Sequence, residues 1–256
     1  IEPSGDIAIF GQTLGAYPVS SDVFSTPLGG QFIHSLSADL STTNYSTTIG
    51  SIGNTAVGIN IRPTAFLVNE CGNIYFSGWG GSVNYNSGNT NNMPTTPEAD
   101  RAVSDGSDFY LGVLSARAES LILGTYFGNA TNQGSGDHVD GGTARFDKRG
   151  IVYQSVCSCG STNGFPTTPG VVSNINNSPV VLGNVRCNNA AFKYDLSSVL
   201  ARVFPTIDSA GVAIPTDSGC APLALIFQND SIQGVSFEWD FGDGTILTKT
   251  EHTLPP

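Results

Sequence analysis

The chain has 256 residues, 39% of them hydrophobic and 9% aromatic, which is ample for a buried core and more than one typical domain requires. Ten Lys and Arg against 21 Asp and Glu give a net charge of −11, a balance that repels phosphate backbones and anionic lipid surfaces and argues against nucleic-acid binding. No apolar run approaches the roughly 18 to 20 residues of a membrane-spanning helix, so no membrane insertion is expected.

Thirty-one Gly and 14 Pro interrupt helices and punctuate turns, and predict an all-β chain of many short strands. Five cysteines, one Met and a Lys-poor surface rich in Ser, Thr, Asn and Gly suit an oxidising, extracellular setting. The chain opens at Ile1 without a charged-then-apolar signal region, as a mature or excised piece would.

Three stretches share one pattern, an acceptor residue, two further residues, a glycine and then a β-run. They are Glu2-Pro3-Ser4-Gly5 before Ile7–Phe10, Asn69-Glu70-Cys71-Gly72 before Ile74–Ser77, and Asp147-Lys148-Arg149-Gly150 before Ile151–Gln154. The acceptor opens a tight turn and the glycine takes a positive φ that other residues resist. A second element lies between the copies: Gln31-Phe32-Ile33-His34-Ser35-Leu36-Ser37, then residues 108–115, then Ala191-Phe192-Lys193-Tyr194-Asp195-Leu196-Ser197, each a strand ending in Leu-Ser. Each is followed by a polar turn and a further β-rich run, residues 43–49, 120–127 and 199–204, so each pair predicts a hairpin. Proline-bearing connectors, Tyr17-Pro18, Met93-Pro94-Thr95-Thr96-Pro97 and Phe165-Pro166-Thr167-Thr168-Pro169, separate the two elements and are expected at edges or in loops. The units recur roughly 70 to 80 residues apart, against about 40 to 50 for a common propeller blade. The excess falls in residues 83–92, 128–140 and 173–184, which lack periodicity and read as surface loops.

The strings Gly-Asn-Ile-Tyr-Phe-Ser-Gly (72–78), Phe-Pro-Thr-Thr-Pro-Gly (165–170), Ser-Asp-Phe-Tyr-Leu-Gly-Val-Leu (107–114) and Gly-Thr-Tyr-Phe-Gly-Asn (124–129) resemble the bacterial SBBP-type β-propeller repeat, over residues 1–204. The resemblance implies about three blades in an open array or part of a larger ring. Residues 205–218 read as a linker. Beyond it, Cys220-Ala221-Pro222, Phe237-Glu238-Trp239-Asp240-Phe241-Gly242-Asp243-Gly244 and His252-Thr253 resemble a PKD domain, an immunoglobulin-like sandwich. Residues 219–256 are too few for its roughly seven strands, so the domain is expected to be incomplete.

No constellation of acid, base and nucleophile stands out. Residues 134–142 gather Ser135, Asp137, His138 and Asp140, but triad members are assembled from separate segments, and the repeat resemblance implies a turn between blades here. A calcium site on Asp240 and Asp243 lacks the dense oxygen set such an ion takes. Cys157 and Cys159 would need two further zinc ligands and none lies nearby in sequence, so a disulfide is expected, with Cys187 bonded to either Cys157 or Cys159. Cys220 is expected to lack a partner within these residues. Neither a metal nor a cofactor is expected.

Tyr17, Tyr75, Tyr85, Tyr126 and Tyr153 read as strand core. Trp79, among glycines at a strand end beside the loop at 83–92, is expected to be partly exposed and to anchor a binding partner. Asp208-Ser209-Ala210 and Asp230-Ser231-Ile232 fit the pattern resembling O-glycosylation sites of bacteria that use type IX secretion, at Ser209 in the linker and Ser231 on a loop.

The resemblances imply a non-catalytic segment of a large bacterial cell-surface adhesin or gliding-motility-associated protein, a rigid spacer and binding surface that meets glycans, other cell-surface proteins and the rest of its own chain. The alternative is a set of accessory modules of a secreted carbohydrate-active enzyme whose catalytic domain lies outside this segment.

Overall fold

The computed structural model describes residues 1–81, 88–129, 136–140, 144–160, 164–179, 186–196, 203–209, 212–216, 225–229, 237–240, 243–249 and 253–254. Among these residues the fold is all-β, in several antiparallel sheets that do not close on themselves, and the sole helical piece is a 3-10 turn at Ala116–Ala118. The chain forms two compact units, Ile1–Leu196 and Ser197–Pro256.

The first unit holds three sheets. The first is β1 (Ile7–Gln12), β2 (Gln31–Leu36) and β3 (Thr43–Ile49), in that order. The second is β4 (Arg62–Val68), β5 (Ile74–Trp79), β6 (Phe109–Leu114) and β7 (Leu121–Phe127), also in order. The third is β8 (Ala144–Phe146), β9 (Ile151–Gly160) and β10 (Arg186–Asp195). β5 and β9 therefore occupy the same place in their sheets, second from the edge and paired to the Leu-Ser strand, and β1 has the same partner.

One turn produces this equivalence. The N–H of Glu2, Asn69 and Asp147 donates to the carbonyl of Asp6, Asn73 and Ile151, and the glycine N–H donates back to the carbonyl of the opening residue, at 2.8 to 3.1 Å throughout. Gly5, Gly72 and Gly150 have φ of +92°, +81° and +86°. Asn69 Oδ1 also accepts from the N–H of Cys71 and Asn73, and Asp147 Oδ1 from the N–H of Arg149 and Ile151. Glu2 is too long for that local bond. Its carboxylate accepts from the Tyr45 hydroxyl, and Ser4 Oγ receives the Asp6 N–H instead.

The Leu-Ser ending has an equally local cause. The N–H of Ser37 donates to Thr42 O while Ser37 Oγ accepts from Thr42 N–H; Ser115 and Ser120 repeat both bonds. A bulge precedes each serine turn at the same point, between Ser35 and Leu36 and between Val113 and Leu114. In the third sheet the partner strand is displaced by two residues. Ile7 and Ile74 face Leu36 and Leu114, whereas Leu196 donates its N–H to Gly150 O and Val152 faces Tyr194. An even displacement keeps every side chain on its own face.

The middle sheet is buried on both sides. In β5 and β6 every residue is buried, and alternate residues enter opposite cores. Ile74, Phe76, Tyr110 and Leu114 join Ile33, Tyr45 and Ile49 of the first sheet, while Tyr75, Trp79, Phe109, Leu111 and Val113 join Phe146, Val152, Val156 and Phe192 of the third. The proline connectors form no strand, and the first two lie along the last strand of their sheet, with Ser20 N–H on Ser46 O and Thr96 N–H on Gly124 O.

The second unit contains a sheet ordered β12 (Val212–Pro215), β11 (Val203–Ser209), β13 (Ile226–Asn229) and β16 (Thr253–Leu254), and a hairpin of β14 (Phe237–Asp240) and β15 (Ile246–Lys249). Two expectations are corrected. Residues 205–218 are not a bare linker, since β11 and β12 pair there and β11 pairs with β13. Of the run at 199–204, Val203 and Phe204 belong to β11 and pair with β13 rather than with β10, and residues 199–202 lie outside the described residues. Trp239 is buried against Phe227, and the Asp243-Gly244 turn has Gly244 at φ +90° and Asp243 Oδ1 accepting from Thr245 N–H. Phe241 and His252 lie outside the described residues.

The two turn glycines at the ends of the unit separate backbone strain from packing. A Cβ on Gly5 would meet no atom within 4 Å, whereas one on Gly150 would overlap the Tyr75 ring. Gly5→Ala should cost the positive-φ penalty alone, about 1–2 kcal/mol, and Gly150→Ala should cost at least ~1 kcal/mol more. Urea unfolding of both variants checks this, and equal losses would remove the packing claim.

Candidate functional site

Three of the cysteines, Cys157, Cys159 and Cys187, lie on the β9–β10 ladder. Cys159 lies directly opposite Cys187, and their sulfurs are bonded at 2.04 Å. Of the two pairings the sequence left open, the structure holds the one to Cys159. Cys157, two residues earlier on the same strand face, is a free thiol with its Sγ 3.7 Å from Cys159 Sγ. Cys71 is a second free cysteine, exposed in the turn before β5, and Cys220 lies outside the described residues.

His138 arrives from a distant segment. It forms a two-bond bridge with Cys157, each residue's N–H donating to the other's carbonyl, at 2.8 and 3.1 Å. This places His138 Nδ1 3.9 Å from Cys159 Sγ and 3.0 Å from Gly136 O, with Nε2 3.1 Å from the Asp140 carboxylate. The ligand atoms of His138, Cys157 and Cys159 all lie within 4.8 Å of one another. The sequence shows no candidate ligand near Cys157 and Cys159; strand pairing brings the His138 ring beside them.

Asp137, beside His138, fixes the segment. It is buried, and it accepts from the N–H of Asn129 at 2.6 Å and of Cys159 at 3.2 Å. Burial pushes its carboxyl up to about 6 against those two bonds. Asn60 does the same work one sheet earlier, accepting from Ser51 N–H and donating to Asn89 O. The Cys157 thiol is also pushed up, first by burial and then by the charges of Asp140 and Asp137. At neutral pH it stays protonated, which makes it a weak nucleophile toward the adjacent disulfide. Ser135 lies outside the described residues.

Trp79 is not the partly exposed anchor that its glycine-rich surroundings suggest. It is 1% exposed and faces the third sheet, with its ring 5.7 Å from that of His138. The glycines beside it mark close backbone approach: a Cβ on Gly78 would stand 2.6 Å from Arg62 O, and one on Gly80 would overlap Asn60 O. Cys157 stands where Trp79 stands one unit earlier, the same number of residues after the turn glycine.

Among the tyrosines, Tyr75 and Tyr126 are buried, Tyr17 stacks on Phe32, and Tyr153 is exposed beneath Lys193. Tyr85 lies outside the described residues. His34 is satisfied by the Tyr17 hydroxyl and Thr43 Oγ, each at 2.8 Å. Ser209 ends β11 opposite Val212 rather than lying in a linker, and Ser231 lies outside the described residues. The loop at 83–92 is tied down at its described end, where Asn89 N–H donates to Ile59 O and Thr90 is buried. In the loop at 173–184, residues 173–179 are described and largely exposed.

Against these features, no family model, no curated protein and no solved structure matches the chain.

Among the described cysteines, peptide mapping of the oxidised protein without reduction should yield one cross-link, between the Cys159 and Cys187 peptides, with Cys71 and Cys157 alkylated as free thiols. Recovery of a Cys157–Cys187 peptide would contradict the register of β9 and β10. Cys187→Ser should lower stability by about 3–4 kcal/mol, the closure entropy of a loop of this length.

Proposed function

We propose that the chain is a non-catalytic segment of a large bacterial cell-surface protein, an adhesin or gliding-motility-associated protein, in which propeller-type repeats and part of a PKD-like sandwich serve as rigid spacer and binding surface. The observation that carries this reading is the recurrence of one turn, with the same two backbone bonds, ahead of β1, β5 and β9. Repeats of this kind bury their faces by stacking on their neighbours, as β5 and β6 do here, and such arrays hold surface loops at fixed spacing. The cross-strand disulfide and the acidic, Lys-poor composition support a place outside the cell.

With Trp79 buried, the binding surface moves to the connector after β9. Val172 is fully exposed there, and Val171 and Ile175 are 42% and 46% exposed, an apolar run that contributes nothing to either core. Its partner in this reading is a glycan or a protein of another surface. Val172→Asp with Ile175→Asp in the intact, normally secreted protein should reduce surface attachment of cells at least several-fold without changing the thermal midpoint. Unchanged attachment would remove the binding surface from this connector, and hydrolysis of a glycan or peptide by the purified segment would overturn the non-catalytic reading.

A further inference from the structure

The two faces of the third sheet differ in kind. One is apolar, and its Phe146, Val152, Val156 and Phe192 enter the core shared with the second sheet. The residues between them turn the other way, and there Arg145, Tyr153, Ser155, Ala191 and Lys193 are all exposed. The registers of β8 on β9 and of β9 on β10 set Arg145, Tyr153 and Lys193 directly opposite one another, in one row across the three strands. Two strand spacings separate the backbones of the two cations by about 10 Å, with the phenol midway. Lys193 Nζ lies 6.0 Å from the centre of the Tyr153 ring. Beside the row opens a furrow of about 710 Å³, lined by these three residues with Ala144, Ser155 and Ala191.

The charge of this furrow is opposite to that of the chain, which has ten Lys and Arg against 21 Asp and Glu. Among the described residues the ion pairs join Arg101 to Asp108, His138 to Asp140 and Arg149 to Asp147, and neither Arg145 nor Lys193 belongs to one. Asp195 follows Lys193 on the same face of β10 but stands beyond the row, at the end of the strand. Exposed charges more than about 8 Å away are largely screened at physiological ionic strength. A single anionic group between the two cations therefore meets them rather than the acidic remainder of the chain, whereas a long polyanion meets both. The open furrow cannot enclose an apolar molecule as an ordinary small-molecule pocket does. It suits a molecule that keeps its hydroxyls in water and lays one flat face on an aromatic ring. The Cys159–Cys187 bond crosses the same ladder, and a slip of β10 by one residue would carry Lys193 to the buried face, so the cross-link also holds the row in register.

We propose that the exposed face of the third sheet binds an acidic sugar, a pyranose bearing one carboxylate, with its ring on Tyr153 and its carboxylate between the Arg145 and Lys193 side chains. Arg145 offers the planar fork that takes a carboxylate through two parallel bonds, and Lys193 adds a point charge on the side of the same ring. Ser155 supplies a hydroxyl that can donate to or accept from those of the sugar. The site is separate from the connector at 171–175 and stands independently of the attachment role proposed for it.

The test titrates the purified, isotope-labelled full chain at low salt with methyl glucuronide, with methyl glucoside as the neutral counterpart, with acetate as the carboxylate alone and with a hexaglutamate peptide. Methyl glucuronide should shift the amide resonances of Tyr153, Ser155 and Lys193 saturably, a reading that needs no variant. It should bind about fivefold tighter or more than the glucoside or acetate, the size of one favourable exposed ion pair. Tyr153→Ala, and Arg145→Gln combined with Lys193→Gln, should each weaken it by a similar factor at an unchanged thermal midpoint. Arg62→Gln, which removes an exposed cation from β4, should match the parent. Equal affinity for glucuronide and glucoside would overturn the proposal. So would shifts from acetate as large as those from the glucuronide, which mean an adventitious ion only, tighter binding of the peptide, shifts confined to other parts of the chain, or full affinity in both site variants. Because the readout is a soluble sugar on the purified chain, its failure is distinct from a failure of cell attachment.

Discussion

A strand buried on both faces has no solvent side to relax toward, and β5 and β6 are such strands. Their alternate residues belong to two different cores, so the second sheet can exist only between the first and the third. The consequences reach the details of the sequence. Trp79 is buried because its parity along β5 assigns it to the core shared with the third sheet. Gly112 has no side chain because Phe76 fills the space where a Cβ would stand. Aromatic pairs bridge the sheets on both sides, Phe10 with Phe66 and Phe76 on one side and Tyr75 with Phe146 on the other, at centroid separations of 5.5 to 5.8 Å.

The elements that were legible in the sequence are those fixed by local bonds. The acceptor-x-x-Gly pattern foretells a turn because its bonds close within five residues, and the chain forms that turn three times. The Leu-Ser ending is legible for the same reason, since the serine hydroxyl caps its own turn. Strand parity along β9 likewise placed Cys157 and Cys159 on one face and narrowed the disulfide to two pairings. Choosing between them needed the register of β9 against β10, which is displaced by two residues from that of the other sheets and leaves no mark in the local pattern. The strands at 203–209 and 212–215 were missed because Pro205 and Pro215 disguise them, although Pro205 still lends its carbonyl to Thr216 N–H.

The candidate site was the least legible part. Its four residues come from three segments, and the segment bearing His138 joins β9 through a single pair of backbone bonds rather than a strand with a hydrophobic pattern. The one available signal was positional: Cys157 occupies the place in the repeat that Trp79, a large core aromatic, holds one unit earlier. Buried Asp137 holds the arrangement by receiving the N–H groups of Asn129 and Cys159, so the same carboxylate joins the exit of β7 to the strand that carries the thiols.

Native-state hydrogen exchange tests the stacked-sheet account most directly. If the second sheet exists only between its two neighbours, the amides of β5 and β6 open only with the whole of the first unit and exchange slowest, while those of β1 and β10 at the sheet edges exchange through smaller openings. Protection of β5 and β6 no greater than that of the edge strands would contradict it.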